Sequence, residues 1–371
     1  MNAQPLPQRA ATALATAAAR VPKLTATIGL DGFVDSIIAV VDKRDSAVKF
    51  TRVPTLAAFG QRIARAAGHG TNAELVVERV KLGGNGPIMA NALAAAGVRV
   101  TSIGSLGYPA VHAAFAELQQ RATVASIAEP GYTDALEFDD GKLMLGKHAA
   151  LRDVTWANLV ARMGRAELTA AFTQADLVGL ENWTMLPFMS DIWQHVLDEL
   201  CPQLPSAPRR QFFFDLADPE KRDPQDLQHA LILISRFQQY FDTYLGLNEK
   251  ESFEIAQALG YHGATAGEVA VRKVVQFVWE KLRISALVVH PRAYAVAASA
   301  DAVVQVAGPF TAKPLISTGA GDHFNAGFCL GKLIGADNEI ALQIGVGMSG
   351  YYVRTATSPT IPELTEFLRA L

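Results

Sequence analysis

The sequence predicts an α/β protein: a mostly parallel sheet with helices on both faces, and a small β lid drawn from early chain segments. Three observations predict it. From residue 166 onward, short apolar runs alternate with longer amphipathic segments, the rhythm of repeated strand–helix units. The runs at 177–180, 211–215 and 286–290 are apolar without alternation, as strands buried on both faces are. The first 150 residues instead carry β-type runs that do not fit such a sheet, among them a hairpin pattern around Asp139-Asp140-Gly141, where Asp-Gly favours a tight turn.

In chain order, the Ala-rich segment 10–19 reads as a surface or capping helix. It lacks the Leu/Val density and the basic leader of a secretion signal. Residues 24–29 form the first strand, and 36–41 and 48–53 continue as extended segments. Segment 54–67 has helical spacing through Leu56, Phe59, Ile63 and Ala67, while 75–82 carries Val76, Val77 and Val80 as a strand would. A helix of small residues at 86–96, ended by Gly97, leads to a strand at 98–103, a helix at 111–120 and the hairpin at 136–145. The regular half then reads as strand 177–180, helix 189–200, strand 211–215, helix 227–238, strand 240–247 and helices 251–259 and 268–281. Strand 286–290 and two packed helices, 322–334 and 339–353, follow.

Composition narrows the function classes. The 371 residues are 50% hydrophobic and 19% charged, with ordinary Gly (29) and Pro (18) content, which excludes collagen-like and disordered chains. A net charge of −3 without like-charge runs argues against nucleic acid or an anionic membrane as the main partner. No stretch reaches the length and apolarity of a membrane span. Cys201 and Cys329 lack partner motifs, which suits a reducing cytoplasm and neither a disulfide nor a zinc site. With no repeat and no Pro/Gly/Ser linker, residues 1–371 read as one domain, with lid segments at about 34–54, 73–85 and 132–150.

The chemistry is expected at the carboxyl ends of the strands. Ser317-Thr318-Gly319-Ala320-Gly321-Asp322 runs a glycine-rich turn straight into a helix. Backbone N–H groups of Gly319, Ala320 and Gly321 there would cradle an anion at the helix N-terminus. Asp322 either takes a proton from an attacking hydroxyl beside that anion or simply caps the helix. The dinucleotide fingerprint fails because Phe324 replaces its last glycine, and the P-loop-like run 327–333 is one residue short. Gly83-Gly84-Asn85 joins a lid strand to a helix and either contacts a hydroxylated ligand or makes a plain turn. Asn248 and Glu251 form a capping pair or an outer-shell magnesium anchor. Asp31 and Asp35 follow the first strand and either bind substrate hydroxyls or form turns. His323 touches phosphate or only marks the helix start, and His290 and Asn325 are placed on the nucleotide side.

The order of these four elements resembles the PfkB (ribokinase-like) carbohydrate kinase family over nearly the whole chain. The resemblance implies a three-layer α/β/α sandwich with a β lid. It implies phosphoryl transfer from a nucleotide, ATP or ADP, to a hydroxyl of a sugar-like molecule. Asp322 would be the general base, Gly319, Ala320 and Gly321 the anion hole, and Asn248 and Glu251 the Mg²⁺ organisers. Asp31, Asp35, Gly83, Gly84 and Asn85 would contact substrate. A homodimer through the lid is a further expectation. The chain departs from the family at Ile316-Ser317-Thr318, where Asp-Thr-Thr is frequent, and at His290-Pro291-Arg292, where Thr-x-Gly is usual. The run Asn85-Gly86-Pro87-Ile88-Met89-Ala90-Asn91 looks closer to ADP-dependent sugar kinases of the same fold. A non-catalytic sugar- or nucleotide-binding regulator is the alternative from another class.

Overall fold

Phe212, Phe213 and Phe214 show why the central strands pair as they do. Successive side chains of a strand point to opposite faces, and all three rings are buried. Phe212 and Phe214 join the core on one side, with Trp193 and Phe237. Phe213 joins the core on the other, with Met89, Phe328 and Leu330. A strand apolar on both faces is stable only between two helical layers.

The computed structural model describes residues 4–264 and 266–371; residues 1–3 and 265 of the expected domain lie outside the described residues. Its strands, in chain order, are β1 (Thr25–Leu30), β2 (Phe33–Arg44), β3 (Phe50–Arg52), β4 (Leu75–Gly83), β5 (Arg99–Gly104), β6 (Thr123–Ser126) and β7 (Gly131–Phe138). Then come β8 (Gly141–Lys147), β9 (Leu177–Leu180), β10 (Arg210–Asp215), β11 (Phe241–Leu247), β12 (Ala286–Val289), β13 (Tyr294–Ala298) and β14 (Val303–Ala307). Nine of them form one sheet in the order β14-β13-β12-β11-β10-β9-β1-β5-β6. The pairs from β6 to β12 are parallel, whereas β13 and β14 continue the sheet antiparallel, with β14 at its edge.

The early segments make a second sheet, β3-β2-β7-β8, with β4 on the other edge of β2. It is built from residues 33–52, 75–83 and 131–147, close to the expected lid. β2 is one long strand, Phe33–Arg44, and β3 is reduced to Phe50–Arg52. The hairpin turns at Asp139-Asp140 as expected, with Asp140 also accepting the Leu56 N–H at 2.6 Å.

Several elements differ from expectation. The 10–19 helix spans Leu6–Ala17 and is no surface element on its inner side, since Ala10, Ala11 and Leu14 are fully buried. It packs against a final helix, Ile361–Arg369, that the sequence reading lacks. The 111–120 helix is a 3₁₀ turn followed by Ala116–Arg121, and 189–200 is a helix to His195 and then a π turn. Helices Trp156–Met163 and Arg165–Gln174 fill the stretch before β9. No helix among the described residues is long and apolar enough to cross a membrane.

Candidate active site

Asp322 occupies the first turn of helix Ala320–Leu333, and Gly319 is its N-cap with φ 93° and ψ 0°. That left-handed conformation suits glycine and strains other residues. The Asp322 carboxylate is 7% exposed and accepts a hydrogen bond from Asn85 Nδ2 at 2.8 Å. Burial, and next the charge of Asp31, push its pKa up to about 8, while the Asn85 bond and the Lys81 ammonium work against that rise. A carboxylate held near neutrality is suited to proton transfer.

Two clefts meet at this turn. One, of about 390 Å³, lies between the lid and the sheet and is lined by Asp35, Gly84, Asn85, Thr133, Asn182 and Asp322 among others. The other, of about 540 Å³, opens behind it and is lined by His290, Arg292, Phe310, Gly321, Ser349 and Val353 among others. His290 lines this second cleft, its ring 4.6 Å from that of Phe324. Asn325 does not. It is fully buried and donates to Asp215 Oδ2 at 2.8 Å, because its helix turns it inward beneath the sheet ends.

Of the expected anion donors, Gly319, Ala320 and Gly321, one is already engaged. The Ala320 N–H is committed to Ser317 O at 3.2 Å. The N–H groups of Gly319 and Gly321 take no backbone partner among the described residues and point their dipoles from a helix N-terminus, while that of Asp322 faces its own carboxylate.

The substrate-side residues divide in two. Asp35, Gly84 and Asn85 line the cleft. Asp31 and Gly83 stand behind it, which corrects their expected direct contact. Asp31 is 1% exposed and accepts from Asn85 N at 2.9 Å, Gly86 N at 2.8 Å and Asn182 Nδ2 at 2.8 Å. It thus fastens the start of helix Asn85–Ala95, where two N–H groups lack intrahelical partners. Burial pushes its pKa up to about 6 against those bonds. Gly84 has φ 95°, and a Cβ there would stand 2.9 Å from Asp31 Oδ2. A Cβ on Gly83 would strike the Asp35 carboxylate. Asp35 sits on β2 between Lys81 of β4 and Thr133 of β7. Burial raises its pKa, tempered by Lys81.

Asn248 and Glu251 form a reciprocal capping box. Asn248 Oδ1 accepts the Glu251 N–H at 2.9 Å, and Glu251 Oε2 accepts the Asn248 N–H at 2.9 Å. Glu251 Oε1 accepts the Asp218 N–H at 2.9 Å. Each oxygen keeps a lone pair that could accept from the water shell of a cation. Asp215, at the end of β10, is held well above its usual pKa by burial and then by the charges of Glu251 and Asp322. A cation in front of these carboxylates would relieve that repulsion, so the donor set fits an outer-shell role. No group of three or more His, Cys, Asp or Glu able to hold a metal directly occurs among the described residues.

A profile of prokaryotic ketohexokinases matches residues 8–370. The chain belongs to that family. It is 32% identical, over 91% of its length and 89% of the relative's, to a ketohexokinase of Haloferax volcanii. Its fold is that of ribokinases. A ribokinase of Arabidopsis thaliana superposes with a TM-score of 0.64 at 15% identity, over 93% of this chain and 98% of that one. Phosphofructokinase-2 of Escherichia coli gives 0.62 at 14% identity, over 94% and 99%. This member of the ketohexokinase family is accordingly a PfkB-type carbohydrate kinase, a phosphotransferase with an alcohol acceptor. Around its site, sequence reasoning missed Glu181, Asn182, Asp215, Lys81 and Lys142. Lys142 reaches from the lid strand β8 to donate to Thr318 Oγ1. Glu181 is fully buried, and neither carboxylate oxygen has a hydrogen-bond partner among the described residues.

Proposed function

We propose that the chain phosphorylates a ketohexose from ATP. The observation that carries this reading is Asp322, a buried carboxylate with raised pKa at the junction of two clefts, beside the unpaired backbone N–H groups of Gly319 and Gly321. The sugar lies in the lid-side cleft, with Asp35, Asn85, Thr133 and Asn182 offering polar contacts to its hydroxyls. The nucleotide lies in the cleft of His290 and Ser349, its terminal phosphate toward Gly319. Deprotonated Asp322 takes the proton of the attacking hydroxyl. The Gly319 and Gly321 N–H groups and the helix N-terminus then steady the charge on the transferring group. The lid, tied to Thr318 by Lys142, keeps water from competing with the sugar.

Mg²⁺ carried by the nucleotide phosphates would neutralise their charge, with Asn248, Glu251 and Asp215 holding its water shell. The reading is of one kinase domain, acting in the cytoplasm on small molecules, with neither nucleic acid nor membrane as a partner. Exposed Val77 and Val80 on β4 and Leu145 on β8 are the lid face through which a second copy would pair.

The test is a panel of ketohexoses, aldoses and nucleosides, each with ATP or ADP as donor, run on the wild type and on Asp322→Asn. The expected result is ATP-dependent phosphorylation of a ketohexose, reduced about 10²–10⁴-fold in the variant. Near-normal turnover by Asp322→Asn would remove the base, and preference for ADP or for an aldose would remove the assigned substrates.

A further inference from the structure

The turn that offers the anion donors is tied from behind by side chains that the reaction itself does not require. Ser317 to Ala320 form a hydrogen-bonded turn, with Gly319 at φ 93° and ψ 0° in its third position. Those angles are those of a type II turn. A type II turn converts to type I when its central peptide, here Thr318–Gly319, rotates by about half a turn. In a trans peptide the C=O and N–H point oppositely. The rotation would turn the Gly319 N–H away from the anion and bring the Thr318 carbonyl oxygen toward it.

One side chain opposes that rotation directly, and a second pins the following peptide and stacks on the first. Tyr352, on helix Asn338–Thr355, donates its hydroxyl to Thr318 O at 3.0 Å. His323, the residue after the base, has its ring turned away from both clefts and is 2% exposed. Its Nδ1 lies 2.7 Å from Gly319 O, an oxygen that also accepts the His323 backbone N–H at 3.1 Å. A carbonyl can only accept, so Nδ1 carries the proton. Nε2 is then free to accept from Ser358 Oγ, 2.9 Å away, which fixes that tautomer. The two rings stack with centroids 3.6 Å apart and planes 13° from parallel. Two successive carbonyls of the turn are thus held by one stacked pair.

We propose that His323 and Tyr352 are positioning residues that lock the Ser317–Ala320 turn in the state that aims the Gly319 N–H at the transferring phosphoryl group, with Ser358 setting the imidazole tautomer. The proposal rests on the assignment of Asp322 and this turn to phosphoryl transfer. Neither side chain touches a reacting atom. Each acts by keeping the anion donors aligned before the substrate arrives, so its loss falls on turnover and not on sugar binding.

The test compares Tyr352→Phe, His323→Phe, Ser358→Ala and Ser358→Thr with the wild type. Tyr352→Phe removes one oxygen and keeps the stack, so it stands even if His323→Phe fails to fold. The measurements are kcat, the KM for sugar, Tm, and the affinity of a nucleoside diphosphate–aluminium fluoride mimic of the transferring group. The expected result is a fall in kcat of about ten- to a hundredfold for Tyr352→Phe and His323→Phe. Affinity for the mimic should fall in parallel, while sugar KM and Tm stay near wild type. Ser358→Ala should lose turnover and Ser358→Thr should retain it. Unchanged kcat in Tyr352→Phe would overturn the proposal, as would a joint loss of kcat, sugar affinity and Tm, which marks a merely structural role. Asp322→Asn runs alongside. If it alone retains turnover, the assignment of the base is wrong and the proposal falls with it; if it is inactive while Tyr352→Phe is normal, only the proposal fails.

Discussion

Replacing Asn85 by alanine should displace the acid limb of the pH–rate profile to higher pH. The side chain removed is the Nδ2 donor 2.8 Å from Asp322 Oδ1. A hydrogen bond to a charged acceptor contributes about 1.5–3 kcal/mol, and one pKa unit corresponds to about 1.4 kcal/mol. Water will replace part of the lost bond, so a rise of about one unit is expected. The bond favours the charged carboxylate, and its loss adds to a pKa already pushed up to about 8. A general base works only when deprotonated, so the active fraction shrinks at every pH below that value. At neutral pH the loss in kcat/KM should be about tenfold. Above the displaced limb, the activity lost to protonation should return. The assay is kcat/KM for the sugar from about pH 5.5 to about pH 10 in both proteins. A limb that stays in place, or moves to lower pH, would refute the electrostatic account of Asp322. A loss equal at all pH values would mean that Asn85 acts through its substrate contact alone and not on the pKa of Asp322.

Two further variants test the buried carboxylates. Glu251→Gln offers one oxygen to two backbone N–H groups now held by two, which should cost about 1–3 kcal/mol of stability; Tm will show it. The same variant should need more Mg²⁺ for half-maximal rate, and an unchanged Mg²⁺ titration would leave Glu251 a helix cap alone. Glu181→Gln should be more thermostable than wild type at alkaline pH and converge with it in acid. Burial first, then the charges of Asp322, Asp215 and Asp31, hold the folded Glu181 pKa well above its ordinary value. The protonated acid therefore favours the fold, and that contribution is lost as pH rises through the folded pKa. A wild-type advantage at alkaline pH would contradict this.

The parts of the site legible in sequence are those written in adjacent residues. Gly319, Gly321 and Asp322 announce a turn, a helix start and a carboxylate within four positions, and Gly83-Gly84 does the same at the lid junction. Glu181 and Asp215 were legible in principle. Each is a carboxylate at the carboxyl end of an apolar strand, the place where open parallel sheets bind ligands. The surroundings of Asp35 were not, because Lys81 and Thr133 reach it through lid register, which one strand pattern does not determine. Asn325 was misplaced because position on a helix says little about its inward face until the neighbouring strand is known. The last helix was overlooked although Thr360 and Glu363 spell a capping box. Strand β13, Tyr294–Ala298, is Ala-rich and weak in β-propensity; it forms between β12 and β14 by extending an existing sheet.

The helix bearing Asp322 lies unusually near its successor. A Cβ on Gly327 would stand 2.8 Å from Ile344 O, and one on Gly331 would stand 2.6 Å from Ala341 Cα. Gly331 is nine residues from the base, about 13 Å along the axis. The helix is therefore a lever with its fulcrum at one end and its working carboxylate at the other. A tilt of about 5° at that fulcrum would carry Asp322 about 1 Å, a displacement that can cost a hundredfold in rate. The aim of Asp322 would thus be set as much by two missing side chains, one at mid-helix and one near its far end, as by anything in the clefts.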